Sequence, residues 1–300
     1  MLNARIRKAY LKNKLKIVSL NNVGDLTYPY ETLNGKAEDI KNIVEGKHSL
    51  SKDIINSKKP IIMLGQSILL SNSGKYIFES IKSFLKKNGK INSDWNSFNI
   101  ISENASTVGS IDLGIFKTAD GSNETLSKLE NNKFDIVFLL GQDSLNFNKK
   151  NEFIIYQGSH GDKGAEIADI ILPGAAYTEQ NGFFTNLEGK LQKAFKASYP
   201  PGEAKEDWII INDLAESIMG KKLFKDKEEL DSGLLNYLNL ENEKKLSRKD
   251  SDFENLVFNN EQIKINNIDY YYSNVIARSS KTMFNCRNEK FKLKSTGTEG

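Results

Sequence analysis

The 300-residue sequence holds a single cysteine, Cys286, so no disulfide forms within the chain. One thiol also falls short of the set that an iron-sulfur cluster or a structural zinc site requires. Histidine is nearly as scarce: His48 and His160 lie far apart and without metal-ligand spacing. A protein metal site is therefore not expected. No apolar run approaches the roughly 20 residues that cross a bilayer, and the start, Met1 to Leu20, is basic and interrupted by polar residues rather than built like a signal peptide. Direct membrane insertion is not expected. Neither charge dominates: 42 Lys and Arg are set against 39 Asp and Glu, a formal net charge of +3. Nucleic acid is accordingly not an expected partner.

What is present reads as alternating strands and helices. Short apolar and β-branched runs recur at Lys16-Ile-Val-Ser-Leu20, Pro60-Ile-Ile-Met-Leu-Gly65, Phe134-Asp-Ile-Val-Phe-Leu-Leu-Gly141, Phe153-Ile-Ile-Tyr156 and Ala168-Asp-Ile-Ile-Leu172. Continuous runs without alternation suit strands buried on both faces of a parallel sheet. Between them, Lys75 to Lys87 places Ile77, Ile81, Phe84 and Leu85 at helical spacing with lysines on the other face. The order predicts an α/β chain with doubly wound, mostly parallel sheet layers.

After Pro200-Pro201-Gly202 the spacing predicts a helix over 203–219, with Trp208, Ile211, Leu214, Ala215 and Ile218 on one stripe and Gly220 closing it. Beyond it the sequence turns rich in Lys, Glu, Asp and Asn. The division expected is an α/β domain at 1–220 and a helical or irregular appendage of surface helices and loops at 221–300.

The densest set of distinctive residues runs from Tyr156 to Gln192. A Gly-rich turn follows one strand, a short strand then ends at Pro173, and a polar loop comes next. In open α/β sheets such loops sit at the carboxyl ends of strands, where ligands bind. Gly158, Gly161 and Gly164 with His160 and Asp162 match neither a P-loop nor a dinucleotide fingerprint, so they read as a tight structural turn. The same structural signature includes Asp169, Pro173, Asn181, Gly182 and Gly189. Glu179 and Glu188, a conceivable carboxylate pair, read better as turn residues that cap backbone donors. No catalytic residue is assigned. The basic start, Arg5, Arg7, Lys8, Lys12, Lys14 and Lys16, reads first as a solvated helix face and second as a contact for an acidic partner.

The stretch Ala168 to Glu179, followed by Asn186-Leu-Glu-Gly-Lys-Leu-Gln192, resembles the signature of the molybdopterin oxidoreductase superfamily. Within it the chain is most similar to the large iron-sulfur subunit of respiratory NADH:quinone oxidoreductase, complex I. Supporting matches run in order from Asn3-Ala-Arg-Ile-Arg-Lys8 through Lys59-Pro-Ile-Ile-Met-Leu-Gly65 and Tyr199-Pro-Pro-Gly-Glu-Ala-Lys-Glu-Asp-Trp208 to Ala277-Arg-Ser-Ser-Lys-Thr-Met283.

The resemblance implies the C-terminal region of that subunit, which keeps the molybdopterin-enzyme fold without the cofactor. It implies a fragment or separately encoded portion. The [2Fe-2S] and [4Fe-4S] clusters are expected in an N-terminal region absent here, and the partners are that region and other peripheral-arm subunits. The implied place is the cytoplasmic face of the bacterial inner membrane, or the matrix side in a mitochondrion. Glu179, Asn186, Glu188, Lys190 and Gln192 are the candidates for a vestigial pterin loop. Superfamily members that bind the cofactor commonly carry arginine after the Glu-Gly pair, and the lysine here cannot make arginine's two-pronged contact. A structural and assembly role is the leading expectation. The alternatives are a molybdopterin-dependent oxidoreductase domain of the formate dehydrogenase kind and a nucleotide-binding module using the 158–164 turn.

Overall fold

The computed structural model describes residues 2–115, 122–143, 145, 148–161, 163–246, 256–265 and 269–295. The chain forms two compact units, Met1–Asn104 with Lys249–Asn267, and Ala105–Arg248 with Ile268–Gly300. This partition differs from a division at residue 220, for two physical reasons. The segment 256–265 enters the core of the first unit through Ile263, 3% exposed. The chain also runs across residue 220 inside the second unit. There the buried Asn212 side chain accepts from the N–H groups of Leu223 (2.8 Å) and Phe224 (3.1 Å) and donates to the Phe224 carbonyl (2.8 Å).

In the first unit α1 (Leu2–Asn13) precedes β1 (Val18–Ser19), which pairs in parallel with β2 (Glu31–Thr32). Next come α2 (Ala37–Val44), α3 (Ser49–Asn56), β3 (Ile62–Gly65), the short α4 (Gln66–Leu69), α5 (Gly74–Lys87) and β4 (Phe98–Ile101), which lies parallel to β3. The spacing of Ile77, Ile81, Phe84 and Leu85 puts all four on one face of α5, where they bury against Ala37, Ile40 and Leu64. Each such burial contributes about 1.5–3 kcal/mol. The segment 256–265 seals this core. The Glu261 carboxylate accepts from the Ser73 N–H (2.8 Å) at the start of α5, where the helix dipole favours an acid, and its carbonyl accepts from Ala37 (3.0 Å) at the start of α2.

The second unit holds α6 (Thr107–Asp112), α7 (Ser122–Glu130), β5 (Ile136–Leu140), β6 (Phe153–Gly158), α8 (Lys163–Ile167) and β7 (Ile170–Pro173). Strands β5, β6 and β7 pair in parallel in that order, with Leu139 beside Tyr156 and Tyr156 beside Ile171. Burial of both faces, expected from the continuous apolar runs, is not what the sheet shows. Leu139, Ile154 and Tyr156 pack against Leu145, Ala165 and Ile167, but successive side chains point to opposite faces. On the other face Ile136 (64%), Leu140 (57%) and Phe153 (43%) are exposed.

The polar loop expected after Pro173 instead contains an antiparallel hairpin, β8 (Gly182–Thr185) and β9 (Leu191–Ala194). Its turn closes through Asn186 and through Gly189 at φ 80°. Helix α9 (Asp207–Met219) starts later than the predicted residue 203, because Lys205 is held in extended form against Gly174. Gly220 closes α9 at φ 70°, the left-handed conformation that favours glycine. The buried face of α9 is rotated from the expected stripe: Ala215 is buried as expected, but Ile210 and Asn212 are buried beside it, whereas Ile211 is exposed and Ile218 is 81% exposed. Helix α10 (Lys227–Leu246), a 3-10 turn at Tyr270–Tyr272, α11 (Val275–Ser279) and α12 (Lys281–Ser295) complete the described chain. The fold is thus α/β with short, mostly parallel sheets. Among the described residues no helix is long and apolar enough to cross a membrane.

Candidate functional site

Strand β6 carries Gln157 and Gly158 to the carboxyl end of the three-stranded sheet, and β7 delivers Pro173 and Gly174 beside them. Lys205 pairs with this edge: its N–H donates to the Pro173 carbonyl (3.1 Å) and its carbonyl accepts from Ala175 (2.8 Å). The chain then turns into α9 at Asp207. These segments border a cleft of about 350 Å³, lined in part by Ser159, His160, Pro173, Glu179, Pro201 and Glu203.

A polar network stands behind this lining, built by the sequence neighbours of Gly158 and Glu179. The Asp207 carboxylate accepts from Gln157 Nε2 (2.8 Å) and from Gln180 Nε2 (2.9 Å), while the Asp207 N–H donates to Gln180 Oε1 (3.3 Å). Gln157 is 1% exposed, so its amide depends on this partner. Gly174 is required here by close approach: a Cβ on it would lie 2.9 Å from Asp207 Oδ1. Sequence reasoning did not single out Gln157, Gln180 or Asp207 as a unit. The available signal was a pair of glutamines near strand ends and an acid in the first turn of a helix, which is common for the dipole alone.

The glycine turn is organised around Tyr156. Its hydroxyl donates to the His160 carbonyl (2.9 Å), so the backbone of His160 ties down the turn, while the His160 ring lies 3.0 Å from the Ser159 hydroxyl. Gly158 and Gly164 both face the Tyr156 ring, and a Cβ on Gly164 would come 2.6 Å from the Gln142 carbonyl. The protein's own side chains fill the room these glycines create. Gly161 is exposed, and Asp162 lies outside the described residues. Asp169 accepts from the Ile154 N–H (2.8 Å) and from Lys149 (2.6 Å), locking the start of β7 to β6. The Ile154 N–H, and after it Lys149, hold the Asp169 carboxyl below its ordinary range.

The residues of the expected pterin loop are not brought together. Glu179 borders the cleft and accepts from the Ala176 N–H (3.0 Å). Asn186 folds the hairpin turn by accepting from Glu188 (3.0 Å) and Lys190 (2.9 Å). Glu188, Lys190 and Gln192 are exposed on that hairpin. Asn181 accepts from the Lys196 N–H (3.0 Å) where Gly182 opens β8, so it too serves the hairpin. A pterin dinucleotide brings a pyrophosphate, which asks for arginine, lysine or a cradle of N–H donors. The described lining of the cleft offers the carboxylates Glu179 and Glu203 and neither lysine nor arginine. These residues do not fit that group. Elsewhere, His48 serves as the N-cap of α3, its ring accepting from Leu50 (3.2 Å), and Cys286 is an exposed thiol on α12.

Comparison with known proteins places these observations. The chain is 39% identical over 297 residues to the NADH-ubiquinone oxidoreductase 75 kDa subunit of Reclinomonas americana, covering 95% of this chain and 42% of that protein. It is 35% identical over 307 residues to an NADH-quinone oxidoreductase subunit of Rickettsia bellii, covering 99% and 43%. It is also 34% identical over 304 residues to the mitochondrial NADH-ubiquinone oxidoreductase 78 kDa subunit of Candida albicans, covering 95% and 40%. The chain therefore spans about two fifths of the length of the curated relatives it matches. The sequence profile of the molybdopterin oxidoreductase family matches residues 1–217 of the 300, which takes in the cleft lining and the Asp207 network. The chain belongs to the molybdopterin oxidoreductase family.

Proposed function

We propose that this chain is part of the peripheral-arm iron-sulfur subunit of proton-translocating NADH:quinone oxidoreductase. Its role there is structural: it supports assembly and electron transfer from NADH to quinone and contributes no redox centre of its own. The observation that carries the structural role is the apolar sheet face formed by Ile136, Phe138 and Leu140 on β5 with Phe153 on β6 and Ile170 on β7. A contiguous apolar face of this kind marks a surface that another protein layer covers. The names of the relatives, matched along 95–99% of the chain, support seeking that layer within an NADH-quinone oxidoreductase.

On this reading activity belongs to the assembly. The [2Fe-2S] and [4Fe-4S] clusters are carried by an N-terminal region outside these residues, and the partners are that region and neighbouring peripheral-arm subunits. The site is the cytoplasmic face of the bacterial inner membrane, or the matrix side in a mitochondrion. The short parallel sheets belong to doubly wound layers whose second covering includes the apolar face of β5–β7.

The test places acids on that face. The variant Ile136→Asp with Leu140→Asp is expected to keep its circular dichroism spectrum, while the amount of assembled complex on native gels and NADH-dependent quinone reduction in membranes fall together. Unchanged assembly and activity overturn the structural role. Stoichiometric molybdenum or tungsten with a released pterin in the purified protein overturns it in favour of an oxidoreductase domain of the formate dehydrogenase kind.

A further inference from the structure

The first acid of the chain is Asp25, yet Arg5, Arg7, Lys8, Lys12, Lys14 and Lys16 precede it. Three of the six, Lys16, Lys14 and Arg7, are occupied locally. Lys16 pairs with Asp53 (2.9 Å) and Glu31 (3.4 Å), and Lys14 lies 5.3 Å from the centre of the Tyr10 ring. Helix α1 is held along one edge: the Tyr28 hydroxyl donates to Asn3 (2.6 Å), the Tyr10 and Tyr28 rings are 6.4 Å apart, and Arg7 reaches the Thr27 carbonyl at 3.4 Å. From Arg7 round the helix runs an open groove of about 540 Å³ along Ala4, Arg7, Lys8, Leu11 and Lys12. No residue of α1 is buried, and Leu11 is 55% exposed.

Helical electrostatics make this face unfavourable when bare. Arg5 and Lys8 stand at i, i+3 and Lys8 and Lys12 at i, i+4, spacings at which like charges repel. Arg5 also sits in the first turn, where the dipole favours acids, and α1 has no acid there. Among the described residues Arg5, Lys8 and Lys12 form no ion pair. A helix arranged in this way gains most from an external anion.

We propose that this face of α1 docks an acidic protein surface, whose carboxylates meet Arg5, Lys8 and Lys12 around an apolar spot opposite Ala4 and Leu11. A membrane surface fits less well, since interfacial helices carry a broad stripe of Trp, Phe and Leu, and Leu11 is the single large apolar residue along this groove. A nucleic acid fits less well because the chain as a whole is near neutral at +3. The inference rests on the complex I reading only for where the partner is to be found.

The experiment treats membranes from cells carrying the tagged full chain with a water-soluble carbodiimide, which joins lysine amines directly to carboxylates within ion-pair reach. In parallel, amine acetylation of Lys8 and Lys12 is timed against the exposed Lys52 and Lys58. Expected are amide cross-links from Lys8 or Lys12 to Asp or Glu of another polypeptide, or of sequence outside these 300 residues. Acetylation of the same two lysines should be slowed several-fold and recover in high salt, and the R5Q/K8Q/K12Q variant should release the partner at lower salt. Acetylation as fast as at the control lysines, cross-links confined to acids of this chain, or protection lost only when lipid is stripped each overturns it. Cross-links to an acidic protein outside any NADH dehydrogenase assembly leave the docking face standing and remove the complex I reading. Cross-links within such an assembly support both.

Discussion

The Arg278 guanidinium meets the Asp143 carboxylate at 2.7 Å across 135 residues of sequence. The acid follows β5 at the carboxyl end of the sheet with only 9% of its side chain exposed, and the arginine comes from α11. A second guanidinium nitrogen reaches the Tyr272 carbonyl at 3.3 Å. The C-terminal helices are thereby tied to the loop beyond β5 by a charge pair that water screens weakly.

Removing one member of such a pair leaves the other charge desolvated. Arg278→Ala is expected to lower the free energy of unfolding by about 2–4 kcal/mol, toward the smaller value because a quarter of the arginine still meets solvent. The double variant with Asp143→Ala is expected to lose less than the sum of the single losses. Urea unfolding of the four proteins measures this coupling, and strict additivity would show that the pair does not act as one.

Asp207 is the acceptor shared by two glutamine amides. Asp207→Ala leaves the buried Gln157 donor only a long 3.4 Å contact with the residue 207 carbonyl, and a loss of about 1–3 kcal/mol follows. The expected readout is a lower urea midpoint with an unchanged slope, together with faster amide exchange at the start of α9.

Gly164 and Gly161 separate packing from backbone preference. Gly164→Ala puts a methyl group against the Gln142 carbonyl and the Tyr156 ring, with an expected cost of about 1–3 kcal/mol despite alanine's better helix propensity. Gly161→Ala meets only Ala165 at 3.9 Å and is expected to stay within about 0.5 kcal/mol of wild type. Thermal unfolding of the two variants checks the contrast.

The depressed carboxyl of Asp169 makes a statement about pH. Its folded-state value lies below the unfolded one, so the stabilisation is fully present above the ordinary carboxylate range and is lost as pH falls through the folded value. Asp169→Asn is expected to flatten the acid limb of the stability profile below about pH 4. An unaltered acid limb in urea titrations would remove this assignment.

Several features could be read locally. The β-branched runs ending in Gly or Pro became β3, β5, β6 and β7, and the apolar stripe of Lys75 to Lys87 became the buried face of α5. Gly220 closed α9 because a left-handed residue there is a demand of the helix end itself. The cleft was legible in part: Gly158, His160, Pro173 and Glu179 border it, but Glu203 and the neighbouring Asp207 network come from a segment that local reasoning assigned wholly to a helix.

By itself the sequence determined the family, matched along residues 1–217, and the α/β class, because strand and helix periodicities are set by side chains a few positions apart. Tertiary structure alone decided which face of β5–β7 is covered, how α9 is rotated, that 256–265 seals the first unit's core, and that Arg278 answers Asp143. These outcomes depend on partners tens to hundreds of residues away. Their positions follow from the summed burial of the whole core, which no local window of sequence encodes.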